Sequence, residues 1–249
     1  MNFLFELEDK KWLPHYLREM QLNYIGWLVK AFKIYEPIDE ILAQQLQSPV
    51  SAICDMASGN GGPIQFLAQK EQLNNCHFIL TDNFPNHSQV FQKNVSYHPN
   101  SVDLLKDVAP RADFYTIFNA FHHFNQDEKK QLVDQYKKTG LMIVEIIEPT
   151  LFHFIKILIT TTLGQLLLTP FIRPFKWKQL FFTYVIPINL LTITWDGLVS
   201  VLRSTKFTKE IYDIEKYLPQ NFEITSHQVG PFWAKINCII IKEKDEKLV

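Results

Sequence analysis

Hydrophobic and polar positions along the chain follow three rhythms. In the first, apolar residues recur three and four apart: Leu13, Leu17 and Met20, then Ile25, Leu28, Val29 and Phe32, then Ile38, Ile41 and Leu42. This is the helical period. It predicts a helical segment over residues 1–49, with Pro14 in a first turn and Pro37 opening the last helix. The second rhythm starts near Pro49. Apolar runs at 50–55, 77–81, 114–118 and 141–147 read as strands, with helices between them over 64–69, near 89–95 and over 126–138. Such alternation predicts a mostly parallel sheet covered on both faces. After a helix at 209–218 the order changes. Two strands, 222–229 and 235–241, meet at a turn at Gly230-Pro231 and close the sheet as an antiparallel hairpin.

The third rhythm is that of residues 151–206, where 154–172 and 180–195 carry almost no charge. Six basic residues (Lys156, Arg173, Lys176, Lys178, Arg203 and Lys206) face the lone acid Asp196. One reading is an apolar helical cap, over 149–206, that covers the sheet and walls a substrate pocket. A second is a membrane-surface segment whose Arg173, Lys176 and Lys178 meet anionic head groups. A spanning helix needs ~20 apolar residues and is opposed by Lys156, Gln165, the threonines and Pro170. Cap and surface segment both favour a lipophilic substrate. Asp196 and Arg203, seven apart, fall on one helix face and suit either an ion pair or a polar substrate end.

Composition narrows the class. A chain of 249 residues with 47% hydrophobic content can bury one substantial core. The expectation is therefore one domain, with a core made of 50–148 and 207–243. A net charge of −1 gives no global reason to expect nucleic acid as a partner. Cys54, Cys76 and Cys238 form neither a disulfide framework nor a metal-binding spacing. No metal site is expected, since Asp127 and Glu128 near the paired histidines read as a helix start. Acids at Glu6, Glu8 and Asp9 stand where a signal peptide would be basic, which points to the cytosol.

The strongest chemical motif is Asp55-Met56-Ala57-Ser58-Gly59-Asn60-Gly61-Gly62-Pro63. A strand delivers the chain into small residues that let a ligand approach the backbone. The helix start beyond, with Pro63 at a favoured position, offers free N–H groups to an anionic group. A dinucleotide-binding fingerprint would need a third glycine where Ile64 stands. Asp82, at the end of the second strand, can accept a pair of ribose hydroxyls. It can equally cap a helix or form a turn before Pro85. Asn119, His122 and His123 follow the strand at 114–118, on the carboxyl edge where open sheets bind ligands.

The loop resembles the cofactor loop of the class I methyltransferases, acid-x-G-x-G-x-G, with Ala57 replacing the first glycine. Together with Trp12-x-Pro14, Thr81-Asp82-x-x-Pro85-Asn86, Phe121–Phe124, Glu145–Pro149, Phe182–Pro187 and Trp195–Arg203, the chain is similar over most of its length to one bacterial group of that family with no assigned substrate. The resemblance implies a Rossmann-like fold and S-adenosylmethionine as cofactor. It assigns the cofactor contacts to Asp55, Ala57, Ser58, Gly59, Gly61, Asp82, Asn83, Val102, Asp103 and Asn119. Val102 would pack on the adenine ring and Asp103 meet its amino group, although a capping role suits Asp103 as well. His122 or His123 would be the base for a hydroxyl acceptor. The expected activity is methyl transfer to a small lipophilic acceptor by a cytosolic enzyme, with peripheral contact to the inner membrane through 151–206. The alternative is a non-catalytic cofactor-binding protein that docks on a membrane or partner through the same segment.

Overall fold

The computed structural model describes residues 4–46, 51–85, 91–173 and 175–244. A seven-stranded sheet in the order β3-β2-β1-β4-β5-β7-β6 forms its centre. Its strands are β1 (Ala52–Met56), β2 (His77–Leu80), β3 (Val95–Tyr97), β4 (Phe114–Phe118), β5 (Leu141–Glu145), β6 (Phe222–Val229) and β7 (Ile236–Glu243). The first five are parallel; β7 runs antiparallel to both β5 and β6. The strand order reverses direction at β1, and the carboxyl ends of β1 and β4 open the crevice where such sheets bind ligands.

The central strands are nearly continuous apolar runs because both faces of the sheet are covered. Ile53, Phe78, Phe114, Met142, Cys238 and Ile240 pack on one side with Ile38, Leu42, Ile64 and Leu67. These come from α2 (Ile38–Ala43) and α3 (Gly62–Leu67). Alternate residues Cys54, Tyr115, Ile143, Ile239 and Ile241 pack on the other side. There they meet Leu132, Val133 and Tyr136 of α4 (Gln126–Tyr136) and Ile214 of α9 (Phe207–Glu215).

The long N-terminal helix α1 (His15–Ala31) follows Pro14, which is its cap residue rather than part of its first turn. Gly62 sits so close to α1 that an added Cβ would lie 3.4 Å from the Gly26 Cα. That approach brings α1 over the end of the sheet. One further expectation changes. Val50 lies outside the described residues, as do 86–90, so the helix near 89–95 is observable only in part. Its described end is not helical: Val95 begins β3, an edge strand of three residues paired with β2. A β-branched and an aromatic residue flanking Ser96 suit a strand. The Asn94 amide anchors it by donating to the carbonyls of Ala68, Asn74 and Cys76.

The 151–206 segment is helical, beginning with α5 (Leu151–Ile159). A π-turn at Thr160–Gly164, then α6 (Gln165–Leu168) and a final tight turn, extend this run to Phe171. After α7 (Trp177–Leu180) the chain bends sharply into α8 (Ile188–Arg203). At the start of the π-turn the Thr160 carbonyl accepts from the Tyr24 hydroxyl of α1 at 2.6 Å. Burial is inverted along Leu151–Phe171: Thr161, Gln165 and Thr169, four apart, face inward, whereas Leu163, Leu167 and Phe171 face out. Beyond it Gln179, Thr183 and Asn189 are buried together with Ile172, Ile193, Val199 and Val201, and Trp177 is exposed.

Candidate functional site

A cavity of about 410 Å³ opens at the carboxyl ends of β1 and β4, within the range of roughly 300–1,000 Å³ typical of small-molecule sites. The loop after β1 forms its floor. Ala57, Gly59 and Gly61 all adopt left-handed backbone, with φ of 52°, 53° and 65°. For Gly61 that conformation is also a packing need, since a Cβ would stand 2.4 Å from Leu80 Cδ1. The turn is closed by Gly61 N–H donating to the Ser58 carbonyl at 2.7 Å and by Ser58 N–H donating to the Thr81 carbonyl at 2.8 Å. Ala57, with a side chain in a conformation that favours glycine, carries strain of about 1–2 kcal/mol.

Asp82 spans from β2 to this loop. Its Oδ2 accepts from Gly59 N–H at 2.8 Å and its Oδ1 from Phe84 N–H at 2.7 Å. Burial raises its carboxyl above the ordinary range, against these hydrogen bonds. A carboxylate has about four lone-pair positions, so two remain for a ligand's hydroxyls. Thus Asp82 makes the turn and also faces the cavity, and the two readings of it are compatible.

Ala57, Ser58, Gly59, Asp82, Asn83, Val102, Asp103, Asn119 and His123 all line the cavity. Asn119 has a positive φ of 48°. Its amide donates to the Tyr35 hydroxyl and its Oδ1 accepts from Ile146 N–H. The Asp103 carboxylate is engaged by Leu105 N–H and Lys106. Gly61 sits behind the lining as the cap of α3.

Asp55 does not reach the cavity. Its carboxyl is fully buried, accepts from Thr116 Oγ1 at 2.7 Å, and is pushed by burial up to about 7. Its role as placed is to order the loop from beneath, with its carbonyl accepting from Ser58 and Thr81. His122 is likewise turned away: Glu145 accepts from its backbone N–H and faces its Nδ1 at 2.9 Å. Of the two rings expected to supply a base, only His123 lines the cavity.

The sequence reading missed the other wall. One face of α1, through Arg18, Leu22, Ile25, Gly26 and Val29, lines the cavity, and so do Tyr35, Glu8 and Asp9. The N-terminal stretch is held there by α8. Asp196 accepts from the backbone N–H groups of Leu7 and Glu8, the Trp195 indole donates to the Phe5 carbonyl, and Ser200 donates to Glu6. Arg203 contacts Glu6, Asp9 and the His123 carbonyl. Asp196 and Arg203 share a helix face as expected, but both act on this stretch. No described residue of 151–206 lines the cavity; the wall expected of that segment is supplied by α1 and residues 8–9.

The cavity is acidic. Glu8, Asp9, Asp82, Asp103 and Glu128 face it, with Arg18 and His123 as its cationic groups. Arg18 lies 4.0 Å over the Phe84 ring and donates to the Glu8 and Lys10 carbonyls. Burial and the neighbouring Glu6 push the Glu8 carboxyl up to about 8. For His123, burial opposes the charge, but Asp9, Glu6 and Glu8 outweigh it and push the ring up to about 10. It is therefore a cation at neutral pH, better suited to donate a hydrogen bond than to accept a proton. Asn125 caps α4, accepting from Asp127 and Glu128 N–H, which confirms the helix start read there.

No family model matches the chain, and no curated protein sequence does either. Solved structures match at low identity. Human N-acetylserotonin methyltransferase in complex with SAM aligns over 91% of this chain at 14% identity and a TM-score of 0.50. An O-methyltransferase family 2 protein from Planctomyces limnophilus, in complex with apigenin, aligns over 94% at 12% identity and 0.52. The pyocyanin biosynthetic protein PhzM aligns over 87% at 11% identity and 0.50. This chain spans only 55%, 64% and 56% of those three structures. Sheet order, closing hairpin and this likeness together establish that the chain has the Rossmann-like class I methyltransferase fold.

Proposed function

We propose that the protein binds S-adenosylmethionine in this cavity and transfers its methyl group to a small, lipophilic acceptor at a membrane surface. One observation carries the cofactor reading: the left-handed Ala57–Gly61 turn and the Asp82 carboxylate share one acidic cavity at the carboxyl ends of β1 and β4. The turn presents backbone to a ligand, Asp82 keeps lone pairs for ribose hydroxyls, and the surrounding carboxylates suit a sulfonium cation. Arg18 is the partner for a carboxylate. The methyltransferase identity of the proteins with similar structures supports the same reading.

The cofactor supplies an electrophilic methyl group, and the protein's contribution is alignment and exclusion of water. Good orientation can account for about 7–11 kcal/mol of the barrier. Leu22, Ile25, Val29, Leu104 and Phe118 form the apolar part of the wall. In a hydroxyl acceptor, the oxygen would accept a hydrogen bond from His123, with the Asp9 carboxylate beside it to take the proton.

The lipophilic and membrane part rests on the inverted insert. Leu167 is 70% exposed, Phe171 62% and Trp177 77%, while the polar Thr161, Gln165, Thr169 and Gln179 are buried. Water disfavours that arrangement and a bilayer interface favours it. Leu151–Phe171 is long and apolar enough to cross a membrane, but its inward face packs on the protein through Thr161, Gln165 and Thr169. We assign it to the interface, on the cytosolic side, with Arg173 and Lys178 available to anionic head groups. The test is radiolabelled methyl transfer into a fractionated lipid extract, run with anionic vesicles. Label should enter an organic-soluble product and the protein should float with the vesicles. Label found only in water-soluble products, without flotation, would reject the acceptor class.

A further inference from the structure

Glu6, His122 and His123 converge beside the cavity in a way that methyl transfer does not require. A carboxylate oxygen and one ring nitrogen from each histidine all lie within 4.8 Å of one another. Both rings are held from behind. Glu145 faces His122 Nδ1 at 2.9 Å and Asp9 faces His123 Nδ1 at 3.1 Å. A carboxylate at Nδ1 fixes the ring's orientation and directs Nε2 forward, as in the carboxylate–histidine pairs that support metal ligands. The forward atoms meet at Glu6, with His123 Nε2 at 3.3 Å and His122 Nε2 at 3.9 Å. His122 Nε2 is buried and has no hydrogen-bond partner among the described residues. A buried ring nitrogen aimed at a carboxylate without a hydrogen bond is an uncommon arrangement that calls for a partner.

We infer that Glu6, His122 and His123 form a binding site for a divalent transition-metal ion, with its remaining coordination open toward the cavity. Two imidazoles and a carboxylate favour zinc, iron or cobalt over magnesium or calcium, which prefer oxygen-only shells. Bonds of about 2.0–2.2 Å in a tetrahedral site place ligand atoms about 3.3–3.5 Å apart. His123 and Glu6 already stand at that spacing, and Glu8 Oε1 is 3.9 Å from His123 Nε2. The cluster gathers Glu6, Glu8, Asp9 and Glu145 around two histidines, with Arg203 the guanidinium that contacts it. Because His123, Glu8 and Asp9 line the cavity, the ion would be reached from there, where an acceptor oxygen could complete its shell.

The test uses the full chain, stripped with a chelator and titrated with Co2+, then with Zn2+ in competition. We expect one equivalent of Co2+ with visible ligand-field bands, displaced by Zn2+, and X-ray absorption showing two imidazole nitrogens. Glu6→Gln and His122→Gln should each weaken binding at least 100-fold. Glu145→Gln, which acts through His122, should weaken it about 10- to 100-fold, and His153→Gln should leave it unchanged. The wild-type stoichiometry and nitrogen count decide the matter even where a buried variant fails to fold. Absence of saturable uptake of either metal at micromolar concentration would overturn the inference, as would ligation without imidazole. Neither outcome bears on the Ala57–Gly61 turn and Asp82, which carry the S-adenosylmethionine reading.

Discussion

Replacing Gly61 with alanine tests whether the turn after β1 is held by left-handed backbone and by contact with the core. Gly61 has a φ of 65°, and an alanine Cβ would lie 2.4 Å from Leu80 Cδ1. The conformation alone costs alanine about 1–2 kcal/mol. Leu80 is fully buried, so it must shift within a packed core, and overpacking of this kind costs about 1–3 kcal/mol. Reduced freedom of the unfolded chain returns about 0.4–1 kcal/mol. The net expectation is a loss of about 2–4 kcal/mol. Gly59→Ala is the matched comparison. Its φ is similar, 53°, but its Cβ would meet the tip of the half-buried Leu22 at 3.0 Å, so the backbone cost dominates and the loss stays near about 1 kcal/mol. Urea unfolding of the three proteins, with unchanged slope, measures both. In a thermal scan, a 3 kcal/mol loss corresponds to about 6–12 °C at this chain length. Equal losses for Gly59→Ala and Gly61→Ala, or a Gly61→Ala protein within about 0.5 kcal/mol of wild type, would refute the packing argument.

Three further outcomes are expected. Asp55 has its folded-state pKa raised from 3.8 to about 7 by burial. Its protonated form is therefore favoured on folding, and the stability it confers at pH 4 is lost as pH rises to about 7. Relative to wild type, Asp55→Asn should gain stability between pH 4 and pH 8 by up to about 4 kcal/mol, and a difference independent of pH in urea titrations would contradict the burial argument. Leu167→Gln, Phe171→Gln and Trp177→Gln together remove side chains that are already exposed, so folding stability should change little while flotation with anionic vesicles falls more than 100-fold; unchanged flotation would remove the insert from membrane contact. His123→Ala should slow methyl transfer at least 10-fold with cofactor affinity nearly intact. His122→Ala should act only through fold and metal content, and the reverse pattern would place the reacting proton on His122.

The sheet was legible because strands buried on both faces are nearly continuous apolar runs, as at Leu141–Val144 and, apart from Asp55, at Ile53–Met56. The edge strand at Val95 was not, since three residues carry no period and its pairing with β2 is non-local. In the site, the spacing of Gly59 and Gly61 was readable because left-handed turns need glycine; Ala57 in the same conformation could be read only as a departure. The acids at Glu6, Glu8 and Asp9 give no local signal of a site. Their meaning arises when Asp196, Ser200 and Arg203 of α8 draw the N-terminus across the end of β4. For the insert, the four-residue spacing of Thr161, Gln165 and Thr169 is visible in the sequence, but periodicity does not say which face points inward. The substrate wall expected from it therefore came from α1, whose own stripe at Arg18, Leu22, Ile25 and Val29 has the same helical spacing.

The central claim, a cavity built for S-adenosylmethionine, is tested most directly by calorimetry of the purified chain with S-adenosylmethionine, S-adenosylhomocysteine and NADH in parallel. The account predicts one site for each adenosyl ligand, weakened at least 10-fold by Asp82→Ala, and no binding of NADH. Binding of NADH alone, or of none of the three, would contradict it.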